Sequence, residues 1–175
     1  MKTLAVALLL GAVGLVYAAP NVDFNNFTYA TNPCGPNPTT MRNGHGDYEG
    51  PPDQGVPTFS LDMGAVYRGR LGQRDAAVVV LSCGLPVGSG SSADAYAING
   101  SHATYLKHLG EVSAGSGGYP PSSWVHVRFA GDLLYVDRLT DPEMYPDRWT
   151  VTTYRLRGDK LSVVNVLVHK RRERR

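Results

Sequence analysis

The sequence is poor in cysteine and in charge: 2 Cys in 175 residues, and 18% charged residues. Two cysteines exclude a multiply bridged mini-protein and a four-cysteine zinc ribbon. Low charge with 42% hydrophobic residues excludes a chain disordered throughout. No segment holds a helical apolar period beyond about ten residues, and no apolar run reaches the roughly eighteen residues of a membrane-spanning helix. Motifs are equally scarce. There is no G-x-x-x-x-G-K-[ST] phosphate loop, no G-x-G-x-x-G, no H-E-x-x-H, no C-x-x-C and no serine with glycine at both −2 and +2. These absences argue against the common nucleotide-dependent and hydrolytic classes, so the balance leans away from an enzyme. If there is catalysis, a metal-dependent oxidoreductase fits best.

What is present begins with a leader. Met1-Lys2-Thr3 is a short basic start, Leu4 to Val16 is apolar, and Val16-Tyr17-Ala18 places small residues at −3 and −1 of a cleavage site after Ala18. That is the pattern of a secretory signal peptide over 1–18, and no cysteine follows it to carry a lipid. An exported, periplasmic, cell-envelope or extracellular protein is expected, without a transmembrane span. In such a compartment Cys34 and Cys83 are expected to pair. Cys34 lies in the irregular Asn32-Pro33-Cys34-Gly35-Pro36, and Cys83 ends the most apolar run.

Charge is unevenly placed. Without Lys2 there are sixteen basic residues against fifteen acidic. Lys170, Arg171, Arg172, Glu173, Arg174 and Arg175 carry net +4, which leaves a body of net −3. A basic tail over 169–175 suits an anionic envelope polymer, lipid headgroups or an envelope protein. Nucleic acid is disfavoured, because the body has no basic stripe.

Twenty Gly and twelve Pro punctuate the chain. Phe24 to Tyr29 reads as a strand, and Asn32 to Pro57 as a long Pro/Gly loop. Leu61 to Arg70 and Ala76 to Ser82 follow, the latter a strand buried on both faces. Gly84 to Ser92 reads as a flexible Gly/Ser linker. The rest reads as hairpins: Tyr96 to Ile98 with Ser101 to Leu109 around Asn99-Gly100, Trp124 to Phe129 with Leu133 to Arg138, and Trp149 to Arg157 with Lys160 to Val168. The expected fold is a single mainly β domain over 19–168, an antiparallel sandwich or barrel-like sheet.

The order Val66 to Cys83, then Tyr96-Ala97-Ile98-Asn99-Gly100, then Trp149 to Leu156 resembles the LppP/LprE-type small secreted bacterial lipoproteins, over about residues 63–160. The lipid-attachment cysteine of that type is missing. The resemblance implies an envelope β domain of uncharacterised function and transfers no functional residue.

Histidines are the remaining candidates, since imidazole suits copper and zinc. His45 lies in Met41-Arg42-Asn43-Gly44-His45-Gly46-Asp47, where glycines would let the backbone approach a ligand and Asp47 could support the ring. His102 and His108 fall on one face of a regular strand, roughly 20 Å apart, and would fall on different faces if Ser101 to Leu109 were a short helix. His126 alternates with Trp124 and Arg128 on the wet face of its strand. A metal site would require three of His45, His102, His108 and His126 to converge, and copper with an open position would allow superoxide dismutation. The H-x-H pair of copper–zinc dismutases is absent. Asp141 to Asp147 is an acidic loop that could meet Ca²⁺ but lacks the alternating pattern of calcium loops. Tyr48, Tyr119, Trp124, Tyr145 and Trp149 could offer protein or glycan contact. The leading reading is a binding or structural accessory domain, with a copper- or zinc-binding protein as the alternative.

Overall fold

A computed structural model describes residues 21–33, 38–48, 59–85, 88–111, 125–139 and 148–170. A 3-10 turn, Phe24–Asn26, leads into eleven strands: β1 Thr28–Tyr29, β2 Thr39–Thr40, β3 His45–Tyr48, β4 Phe59–Leu71, β5 Arg74–Leu85, β6 Gly88–Asn99, β7 His102–Glu111, β8 Val125–Ala130, β9 Leu133–Leu139, β10 Arg148–Arg157 and β11 Lys160–Lys170. They form three antiparallel sheets, β1-β2, β3-β4-β5-β6-β7 and β11-β10-β9-β8. None is a closed barrel. Both large sheets are meanders, in which every strand pairs with its neighbour in sequence.

Two-residue turns make the tight hairpins. Gly72, Gly100, Gly131 and Gly158 each take a positive φ of 60–62° as the first turn residue, the position that a type II′ turn reserves for glycine. The expected Asn99-Gly100 turn is therefore displaced by one: Asn99 pairs with His102, and Gly100-Ser101 makes the turn.

The five-stranded sheet is buried on both sides. On one face Leu71, Ala76, Val78, Val80, Ala93, Ala95 and Leu109 meet Val125, Leu134, Val136, Tyr154 and Leu161 of the four-stranded sheet. On the other, Ala77, Val79, Leu81, Cys83, Tyr96 and Ile98 lie beneath Val22, Phe24, Tyr29 and Met41 of the N-terminal segment. Residues 76–81 are thus buried without alternation, as a strand between two apolar layers requires. Arg68 donates to the Val22 carbonyl at 2.6 Å, and the Thr31 hydroxyl donates to buried Asp94, fastening the outer layer to the sheet.

Three expectations need correction. Phe24 to Tyr29 is a 3-10 turn and a two-residue strand, because Asp23 caps the turn by accepting from Asn25 N–H. The stretch Asn32 to Pro57 contains β2 and β3. Gly84 to Ser92 is no linker among the residues described: it supplies the end of β5 and the start of β6, where Ser91 and Ser92 are buried.

Candidate functional site

His45 does not sit in a ligand loop. Arg42 and His45 exchange main-chain hydrogen bonds of 2.8 and 3.1 Å across Asn43-Gly44, whose φ values are 54° and 80°. Both central residues are left-handed, as in a type I′ hairpin, so the glycine is there for the turn. The Asn-Gly pair was the available signal, masked by the surrounding Pro and Gly. His45 stands opposite Asp62 on β4. Its Nδ1 lies 2.6 Å from Asp62 and its Nε2 3.0 Å from Asp47. The Asp62 hydrogen bond first, and then the Asp47 charge, raise its pKa. When protonated, the ring can donate from both nitrogens, one to each carboxylate.

That arrangement predicts a pH effect. A histidine raised in the fold favours folding below its unfolded pKa, and this contribution disappears as pH climbs through the folded value. A proton NMR titration should place the His45 midpoint above about 6.5, with Asp62→Asn moving it down. A wild-type midpoint at or below the ordinary value would refute the two-carboxylate geometry.

The other histidines lie elsewhere. β7 bulges twice against β6, and each bulge shifts the alternation by one residue. His102 pairs with Asn99 and His108 with Asp94, which puts them on opposite faces, contrary to the regular-strand expectation. His108 Nδ1 contacts Asp94 at 2.9 Å. β3 and β7 are opposite edges of the five-stranded sheet, so His45 and His108 are roughly 19 Å apart at the usual strand spacing. His126, in the other sheet, is exposed as expected and stacks on Trp149 at 5.2 Å. His169 lies 3.5 Å from Asp137. Among the described residues no group of three or more His, Cys, Asp or Glu could hold a metal ion.

Several expectations fall on residues outside those described: Cys34, Asp141 to Asp147, Tyr119, Trp124, Tyr145 and Arg171 to Arg175. Cys83 is buried in the core and is not a free thiol. Trp149 is 6% exposed, so it packs rather than presenting a contact surface. A surface depression at the hairpin tips holds Arg74, Asp75 and Asp159, but Arg74 and Asp159 pair with each other. No described helix is long and apolar enough to cross a membrane.

The unusual surface is β11. It is the outermost strand of its sheet, and residues 163–170 are all exposed. Val163, Val164, Val166, Leu167 and Val168 are 48–62% exposed. Of the large hydrophobic side chains exposed among the described residues, only Tyr105 lies elsewhere. Five exposed apolar residues within the six positions from Val163 to Val168 make β11 the candidate contact surface. Residue-type reasoning found the basic end, which begins at Lys170, but missed the apolar strand beside it. V-V-N-V-L-V reads as core until its place at a sheet edge is known.

The chain matches no family model, no curated protein and no solved structure.

Proposed function

We propose that this chain is an exported β domain of the cell envelope that acts by binding, as an accessory or structural protein, with β11 as its contact edge. The observation that carries this reading is the exposed apolar edge strand leading directly into a basic terminus. The strand offers main-chain hydrogen bonds and apolar side chains to a polypeptide partner, as in strand addition. The basic residues favour an anionic envelope protein or polymer. A leader over 1–18 and a Cys34–Cys83 bond tying the loop to the core complete the same reading. The resemblance to LppP/LprE-type proteins points to the same compartment.

The test uses a fluorescent peptide with the sequence of residues 160–170, whose terminal lysines keep it soluble. The chain is expected to bind it with a dissociation constant on the order of 10 μM, Val166→Lys to weaken binding at least tenfold, and removal of 170–175 to leave it largely intact. Equal binding by wild type and Val166→Lys, or no binding, would overturn the reading.

A further inference from the structure

Building on that reading of β11, we propose that its partner is β11 of a second copy, paired antiparallel about a two-fold axis to join two four-stranded sheets into one of eight.

The edges of the two large sheets differ in how they meet solvent. β3 has four residues and carries His45 and Asp47. β7 carries Lys107, His108 and Glu111 and bulges twice. β8 has six residues and carries His126 and Arg128. Shortness, charge and bulges are the usual means of keeping an edge from pairing. β11 has eleven residues and one bulge, and from Val163 to Val168 it carries no charge and no proline. It is the open edge.

Its apolar side chains also lie on both faces. Val163, Val166 and Val168 pair with Tyr154, Thr152 and Thr150, on the face towards the other sheet. Leu167 pairs with Val151 on the opposite face. An added strand covers both faces and meets the main-chain groups of the edge. A bilayer would reach one face and leave those groups without partners in hydrocarbon, which costs several kcal/mol each.

The sequence complements itself. With the axis beside Val166, Val164 faces Val168, Asn165 faces Leu167, Val163 faces His169 and Ser162 faces Lys170. No like charges oppose each other within this span, and a body of net −3 complements the basic terminus of a second copy. One open edge per copy among the described strands of the two large sheets gives a closed dimer rather than a fibre. Burying one edge from each copy falls at the low end of specific interfaces, on the order of 1,000 Å² in total, so dissociation near 10 μM is expected.

Sedimentation of the full exported chain from about 1 to about 100 μM brackets that affinity. The weight-average mass is expected to approach twice the monomer, and Val166→Lys is expected to stay monomeric with an unchanged circular dichroism spectrum. Val166→Cys should crosslink across the axis under mild oxidation, giving a covalent dimer in the full chain even if the lysine variant misfolds. A wild type that stays monomeric at every concentration, with no crosslink, would overturn the proposal. Peptide binding retained in that case would leave the strand-addition reading standing, whereas loss of both would end both. Sedimentation of the monomer with phosphatidylglycerol vesicles, abolished by Val166→Lys, would assign β11 to a lipid surface and also refute the dimer.

Discussion

Replacing Tyr96 with alanine is expected to cost about 3–5 kcal/mol, the range for deleting a buried aromatic ring. Tyr96 is 1% exposed. Its ring contacts Phe24, Phe27, Tyr29 and Tyr105 at centroid distances of 5.6, 5.6, 6.3 and 5.8 Å. Three of those rings belong to the N-terminal layer, so the alanine variant opens a cavity where that layer meets the sheet. The phenol hydroxyl has no hydrogen-bond partner among the described residues, and an unsatisfied buried hydroxyl costs about 1–3 kcal/mol. Tyr96→Phe should therefore be as stable as wild type or more so. Burial, and then the Asp94 charge, push the phenol pKa well above its ordinary value. The fold thus loses stability as pH rises above about 10, where the unfolded tyrosine ionises first, and Tyr96→Phe should reduce that loss. Urea unfolding at constant m-value measures all three effects. An alanine cost below about 1 kcal/mol, or a phenylalanine variant as weak as the alanine one, would refute this account.

Gly69→Val is the second large effect, expected near 3 kcal/mol, the upper end of the cost of overpacking. Gly69 lies opposite Ala76 on the face of β4 turned to the four-stranded sheet. A Cβ there would sit 2.5 Å from Phe129 Cγ and 3.0 Å from Phe129 Cβ. These atoms are near the root of the side chain, so the ring cannot swing clear without moving β8. Relief of glycine's backbone entropy in a strand, about 0.5–1 kcal/mol, is the smaller term, and the overlap decides the sign. Phe129→Ala should partly rescue Gly69→Val, a non-additivity expected only of residues in contact. A double variant with fully additive losses would show that the ring does not set the cost.

The second half of the chain was legible because its signals are local. Leu133 to Arg138 follows the Gly131 turn and Trp149 to Arg157 runs into the Gly158 turn, and the observed strands start or end within a residue of those limits. The earlier errors were tertiary. Gly84 to Ser92 has the composition of a linker, but Gly84 pairs with Ser60 of β4 and residues 88–92 pair with β5. His102 and His108 share the parity of a regular strand, yet bulges arise from the pairing with β6, which composition does not encode. Val163 to Val168 has the composition of a buried strand. Only the strand order, β11-β10-β9-β8, places it on the outside.

The N-terminal layer also sets an order of events. Each pairing in the two large sheets joins strands adjacent in sequence, and such short-range closures form early. The layer above Tyr96 is different. Thr31 must reach Asp94 across 63 residues, and Val22 must reach Arg68 across 46. Residues made first therefore settle last, after β6 exists to receive them. Until then Val79 and Leu81 stay uncovered, and a nascent chain halted before β6 lacks Asp94, Tyr96 and Ile98, a large part of the surface on which its beginning docks.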